Sequence, residues 1–171
     1  MSILDSPTIS STRRNHGLEH ATIHVLNSQR YRLSGRSTDG GFVLLGEVPT
    51  ERVEMAVADA LRRMRNGEHH LAVHPNCGTN LVTAGGLTTL AAVIGLSGSS
   101  HRSLSERLPM VMLMMMFAVL FSQPLGMSLQ RYFTTEGDPG DMEVVIVTHR
   151  RMSLPFAGRS VTVHQVVTRR G

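Results

Sequence analysis

Two long stretches without a charged residue constrain the fold of this chain most strongly. No Asp, Glu, Lys or Arg occurs from Asn76 to Ser100, and a second uncharged run extends from Leu108 to Gln130. A helix needs about 20 mostly apolar residues to cross the hydrocarbon core of a bilayer. The second run meets this length, whereas glycines and threonines dilute the first. We predict a two-helix transmembrane hairpin at residues 77–130; the alternative is a buried helix pair in a soluble core, with methionine as filler.

The arginines outside the two runs predict how such a hairpin is oriented. Two spans place both termini on the same side of the membrane, and the cytoplasmic side carries the excess of basic residues. The flanking arginines are Arg13, Arg14, Arg131, Arg150 and Arg151, and those of the connecting segment are Arg102 and Arg107. The chain is therefore predicted to lie in the cell inner membrane with cytoplasmic termini.

The segment His16-Gly-Leu-Glu19-His20 has the spacing of a helical metal site. On a helix that begins near Asn15 and ends near Ser28, the two histidines lie one turn apart on the same face. In the inverted zincin motif H-x-x-E-H, such histidines bind zinc and the glutamate is the general base. The alternative is a surface helix whose glutamate interacts with the positive helix end. We favour zinc, or another divalent metal, bound by His16 and His20, with Glu19 as the catalytic residue.

A second group of ligand-type residues follows at His74 and Cys77. Two imidazoles alone hold a divalent metal weakly, so the site needs further ligands. His74 and Cys77 offer an imidazole and a thiolate, and Pro75 and Gly78 predict a tight turn that aims both at one point. The alternative is a packed thiol at the start of a helix. We predict that His74 and Cys77 are the remaining metal ligands.

The other histidines have weaker assignments. His70 is a reserve ligand if its segment is extended, because residues 70, 72 and 74 would then share a face. A solvent-exposed pair of His69 and His70 is the preferred interpretation. His24 is a packing residue or lies behind the ligands, since helical drift moves it away from a metal at positions 16 and 20. No role is assigned to His101, His149 or His164.

The charge balance excludes one class of partner. The chain has 17 Lys and Arg against 13 Asp and Glu, and only 4% of its residues are aromatic. Because the basic residues are not interleaved with aromatics, we expect no nucleic-acid partner. Anionic lipid of the bilayer is the expected partner of the basic residues. The single cysteine excludes an internal disulfide.

The remaining patterns predict an α+β fold. One or two short strands are expected between residues 31 and 45, and an amphipathic helix from Thr50 to about Asn66. β-Branched residues at 142–148 and 160–168 predict a C-terminal β-hairpin with a turn at Pro155 and Gly158. Residues 1–12 form a Ser/Thr-rich arm. The predicted domains are a metal-binding region at 1–76, the membrane hairpin at 77–130 and the hairpin region at 131–171.

The two motifs together resemble those of a group of uncharacterised bacterial membrane proteins. Those proteins carry H-G-x-E-H-x-x-I and then H-x-x-C-G-T before a membrane segment, and they are described as predicted metal-dependent enzymes. The resemblance covers about residues 13–100. It implies that one site contains the residues His16, Glu19, His20, His74 and Cys77.

Three functions are compatible with these features. The first is a zinc-dependent hydrolase, peptidase-like, that acts on a peptide or other amide at the membrane face. The second is a non-catalytic membrane protein whose structural or sensory metal site is closed by three histidines and one cysteine. The third is a membrane scaffold without a metal. In each of them the membrane helices offer a surface for oligomer formation.

Overall fold

A computed structural model of the protein describes residue 4 and residues 6–97, 103–154 and 159–170. The chain divides into two units, one of residues 1–74 and 131–171 and the other of residues 75–130. The first unit contains helices and an antiparallel sheet, and the second contains two apolar helices. The predicted α+β fold class is therefore confirmed.

The first unit is built on a four-stranded antiparallel sheet with the strand order β1-β2-β4-β3. Its strands are β1 (Ser34–Thr38), β2 (Gly41–Leu45), β3 (Glu143–Leu154) and β4 (Arg159–Arg169). Strands β3 and β4 form the predicted C-terminal hairpin, and β4 also pairs with β2. The C-terminal strands thus complete the sheet that the N-terminal strands begin. The predicted turn residues Pro155 and Gly158 lie outside the described residues.

Two helices pack against each other and against this sheet. They are α1 (Pro7–Ser28) and α2 (Thr50–Arg65), and α2 has the bounds that its apolar stripe predicts. Leu18 and Leu26 of α1, Phe42 of β2, and Val53 and Met64 of α2 are at most 1% exposed. Burying a side chain of this kind contributes about 1.5–3 kcal/mol. This core fixes the position of α1, which carries the predicted metal motif.

Helix α1 begins at Pro7 rather than at the predicted Asn15 cap, so the predicted N-terminal arm is helical from Pro7 onward. Proline suits the first helical position because its φ is preset and its missing N–H has no partner there. Contacts with a distant segment hold this extension. The Arg13 guanidinium donates to the Thr135 carbonyl at 3.2 Å and pairs with the Glu136 carboxylate at 3.4 Å.

Asn15 joins α1 to the sheet instead of capping the helix. Its side chain is fully buried. The amide nitrogen donates to the carbonyls of Thr38 and Asp39 at 3.0 and 2.9 Å, and the amide oxygen accepts from the Thr168 hydroxyl at 2.7 Å. Because this side chain makes three hydrogen bonds to the sheet and its β1–β2 turn, it fixes the residue next to His16.

The second unit consists of α3 (Gly78–Leu96) and α4 (Leu104–Leu129), which pack against each other. The most apolar 18-residue windows of the segments Gly78–Leu96 and Leu104–Thr134 have mean hydropathies of 1.4 and 1.8. Both are long and apolar enough to cross a membrane, and 6% and 11% of their most apolar windows are buried. The connecting residues 98–102 lie outside the described part.

A polar contact joins the start of α3 to the end of α4. The buried Gln130 amide donates to the Asn80 side-chain oxygen at 2.9 Å, and the Asn80 amide donates to the Pro75 carbonyl at 2.5 Å. A Cβ at Gly126 would overlap the Asn80 side chain, so glycine permits this close approach.

Candidate metal centre

Helix α1 places His16 and His20 on one face, as their spacing predicts. Their ring centroids are 4.4 Å apart and the rings meet edge to face. His20 is 3% exposed and His16 is half-buried. The two imidazoles are therefore close enough to contact one small cation.

The hydrogen bonds of these two rings fix which nitrogen is available to a metal. Nδ1 of His16 lies 2.9 Å from the Thr134 carbonyl oxygen, and Nδ1 of His20 lies 2.8 Å from the Ala72 carbonyl oxygen. A carbonyl oxygen only accepts hydrogen bonds, so Nδ1 carries the proton in both rings. Nε2 of each ring then carries a lone pair rather than a proton. This arrangement, with one ring nitrogen held by a carbonyl, is typical of metal-bound histidines.

Both carbonyls are available because each ends a short helical segment. Ala72 is the last residue of a 3₁₀ helix, His69–Ala72, and Thr134 is the last residue of a π-helical segment, Gln130–Thr134. The last carbonyls of a helix have no partner within it. Two segments far apart in the sequence thus orient the two histidines of α1.

Gly17 allows one of these segments to approach α1. A Cβ at position 17 would overlap the Glu136 carbonyl oxygen and would lie 3.2 Å from the Ala72 Cβ. The Glu136 N–H also donates to the Arg13 carbonyl at 3.0 Å, which holds that segment against the helix. The glycine of the H-G-x-E-H motif therefore has a packing role that its spacing alone does not reveal.

His74 lies beside the same group of rings. Its ring centroid is 5.9 Å from that of His20 and 5.0 Å from that of His24. Burial, together with the charges of His24 and His20, lowers the pKa of His74 to about 4. The imidazole is neutral at pH 7 and offers a lone pair, which is the form that binds a metal. The structure therefore brings His16, His20 and His74 together in the first unit.

His24 and His70 do not extend this group in the same way. The Nε2 of His24 donates to the Val73 carbonyl at 3.1 Å, and its ring packs edge-on against His74, in agreement with the predicted packing role. His70 lies on the 3₁₀ helix and is exposed, so it does not share an extended face with His74. His69 and His70 are both exposed, in agreement with the preferred prediction of a solvent-exposed pair, and the reserve alternative of an extended segment is wrong because these residues form a 3₁₀ helix.

Cys77 belongs to the second unit, three residues after His74. It precedes α3 as its N-cap residue, and its sulfur accepts a hydrogen bond from the Thr79 N–H at 3.5 Å. The Cys77 sulfur thus lies at the positive end of α3.

Glu19 is buried between α1 and β1. Its carboxylate accepts a hydrogen bond from the Ser37 hydroxyl and touches Gly35, where a Cβ would overlap it. Glu19 itself is 4% exposed. The contact with β1 was not predicted. Gly35 and Ser37 are two residues apart and therefore project from the same face of a strand, which could have indicated a small polar surface there.

The chemistry of the histidine cluster suits a metal ion. Neutral imidazole nitrogens are common metal ligands, and each ligand histidine needs a partner on its second nitrogen. His16 and His20 have such partners. The histidine cluster could therefore hold a metal ion.

Comparison with known proteins places the chain in an uncharacterised group. A family model described as a domain of unknown function, DUF6391, matches residues 11–147. An uncharacterized protein of Picosynechococcus sp. is 40% identical over 99 residues, which are 52% of this chain and 46% of the relative. The chain thus spans about half the length of this curated relative. No solved structure matches the chain. The predicted resemblance to uncharacterised proteins is confirmed, and neither description mentions a metal or an activity.

Proposed function

The chain belongs to the DUF6391 family, and we propose that it is a membrane-associated, zinc-dependent hydrolase. The observation that carries this proposal is the pair of carbonyl hydrogen bonds to Nδ1 of His16 and His20. These bonds leave both Nε2 atoms unprotonated on one helix face. Two buried or half-buried rings held in this tautomer are what a metal site needs before the metal binds.

His74 and Cys77 supply the further ligands. His74 is a neutral imidazole beside His20. Cys77 follows it by three residues, so their Cα atoms are at most about 11 Å apart along an extended chain. Short spacing of this kind is common for zinc ligands because a tight turn brings both donors to one ion. Three of the four residues suffice for an open catalytic site.

Glu19 is the proposed general base. A bound zinc ion would lower the pKa of a water to about 7 and polarise the carbonyl of a peptide or other amide substrate. Glu19 would accept the proton of the attacking water and pass it to the leaving nitrogen. The Ser37 hydroxyl bonds to the same carboxylate and would hold it in one orientation.

Substitution of Glu19 tests this assignment. Glu19→Gln keeps the size of the side chain but cannot accept a proton, so we expect the variant to retain zinc and to lose amide hydrolysis. Glu51→Gln, on the exposed side of α2, is the matched control and should retain both. Loss of zinc in Glu19→Gln would indicate that Glu19 is a ligand and would exclude its role as base.

The same carboxylate favours a second candidate function. Because Glu19 is buried and bonded to Ser37, it has a structural contact that needs no catalysis. His16, His20, His74 and Cys77 would then close a tetrahedral structural or sensory site. X-ray absorption at the zinc edge separates the two: three imidazoles and one sulfur indicate the closed site, and a light oxygen ligand in place of one of them indicates the open one.

We also propose that α3 and α4 form a hairpin across the cell inner membrane with cytoplasmic termini. The support is their length, their mean hydropathy and their small buried fraction. Reporter fusions at the C-terminus and at Ser103 test the orientation. A cytoplasmic signal from the C-terminus and a signal from the opposite side at Ser103 are expected, whereas a cytoplasmic signal from Ser103 would exclude the hairpin.

A further inference from the structure

A second pair of histidines lies on the sheet, on strands that carry none of the residues proposed above. His149 of β3 and His164 of β4 are direct partners in the antiparallel register. Directly opposed residues project from the same face of a sheet, with Cβ atoms about 4.5–5.5 Å apart. The two ring centroids are 6.3 Å apart. This spacing is suitable for two imidazoles that share one ion.

The surroundings of His164 are unusual for a buried imidazole. The residue is fully buried, and neither Nδ1 nor Nε2 makes a hydrogen bond to any of the described residues. Buried side-chain nitrogens nearly always have a partner, so a ring with two unpartnered nitrogens needs an explanation. His149 is exposed, which leaves a route from solvent to the pair.

The charge state of His164 is suited to a cation ligand. Burial lowers the pKa of His164. The backbone of Val48 acts in the opposite direction, although it does not form a hydrogen bond with the ring. The ring is therefore neutral at pH 7 and has a lone pair. The positive charge of His149, when protonated, acts in the same direction as burial, and the Glu47 carboxylate acts against it.

The carboxylate of Glu47 bonds to Thr162, the neighbour of His164 on the same face of β4. Glu47 accepts hydrogen bonds from the backbone N–H and the hydroxyl of Thr162, the former at 2.8 Å. Thr162 is two residues before His164, so both project from the same side of β4. Arg151, the register partner of Thr162, is exposed and extends into solvent. Glu47 thus supplies negative charge next to the pair without ion-pairing to a described residue.

We propose that His149 and His164 bind Cu²⁺, with solvent completing its coordination. Imidazole is a favoured ligand of copper, and a given set of ligands binds Cu²⁺ more tightly than Zn²⁺. The ion would give the buried ring the partner that it lacks, and it would tie β3, an edge strand of the sheet, to β4. This site is separate from the one on α1 and does not depend on the proposed hydrolase activity.

The test uses Cu²⁺ as the probe, added to the purified full-length chain after it has been loaded with Zn²⁺. We expect one Cu²⁺ equivalent, with an electron paramagnetic resonance signal that shows coupling to two imidazole nitrogens. In His149→Ala this equivalent should be lost, and because His149 is exposed the fold should be unchanged. His164→Gln, which fills the same space, should lose it as well.

The control removes two exposed histidines elsewhere, His69→Ala together with His70→Ala, and should bind Cu²⁺ as the wild type does. The comparison between the wild type and His149→Ala is valid whatever the histidines of α1 bind. An unchanged copper signal in His149→Ala, or no bound equivalent in the wild type, would overturn the proposal.

Discussion

Replacing Gly17 by alanine has two opposing effects on the free energy of unfolding, and the size of each can be stated. Alanine in place of glycine inside a helix is favourable by about 1 kcal/mol. Here, however, the added Cβ would overlap the Glu136 carbonyl oxygen and crowd the Ala72 Cβ. Both are on backbone segments that cannot simply rotate away, and overpacking of this kind costs about 1–3 kcal/mol. We take the upper end of that range and expect a net loss of about 1–2 kcal/mol in the free energy of unfolding.

The same substitution should weaken metal binding. Moving residues 134–136 away from α1 lengthens the bond between Nδ1 of His16 and the Thr134 carbonyl. Loss of such a supporting hydrogen bond typically lowers metal affinity by about 10–100-fold. Gly17→Ala touches no ligand, so this loss would come from the orientation of His16, and of His20 where Ala72 is displaced.

Two assays on the full-length chain in detergent measure these effects. Thermal unfolding followed by circular dichroism should show a Tm lowered by roughly 2–8 °C, at about 2–4 °C per kcal/mol. Competition with a coloured zinc chelator gives the affinity. Gly86→Ala, on α3 with no atom near the added Cβ, is the control and should lower neither value. If Gly17→Ala had the Tm and zinc affinity of the wild type, the proposed role of the 134–136 segment would be refuted.

Three further outcomes follow from contacts of the first unit and from Cys77. Gly35→Ala should lower the free energy of unfolding by about 1–3 kcal/mol, because the added Cβ overlaps the buried Glu19 carboxylate. Gly40→Ala, where the added Cβ would lie in open space, should not lower it. Equal melting curves for the two variants would contradict this prediction. Asn15→Ala removes three hydrogen bonds and should cost about 3 kcal/mol, against about 1 kcal/mol for Thr168→Val, which removes one of them; denaturant titration checks the ratio. Cys77 should resist alkylation in the metal-loaded protein and react after chelation, and equal alkylation rates would exclude it as a ligand.

Local patterns were sufficient to predict much of the fold. The apolar stripe of α2 repeats at helical spacing, so its bounds were predicted to within a residue. The β-branched residues of β3 and β4 predicted the C-terminal hairpin. The two uncharged runs predicted α3 and α4, because length and the absence of charge are direct signals of an apolar helix.

Contacts between distant segments were not predictable from one sequence. The start of α1 at Pro7 depends on Arg13, which binds a segment more than a hundred residues away. The spacing of His16 and His20 predicted a shared face, but the carbonyls of Ala72 and Thr134 that fix their tautomers come from elsewhere in the chain. No local pattern specifies such partners, because they depend on how the segments pack.

The most direct test of the account is the metal content of the purified protein. Without chelator in any buffer, the wild type should contain close to one zinc ion per chain by elemental analysis. His16→Ala combined with His20→Ala should contain only background metal and keep its secondary structure, since the lost rings bind through Nε2 and contribute little to the apolar core. His69→Ala combined with His70→Ala should match the wild type. A full equivalent of zinc in the variant that lacks His16 and His20 would contradict the metal centre on α1.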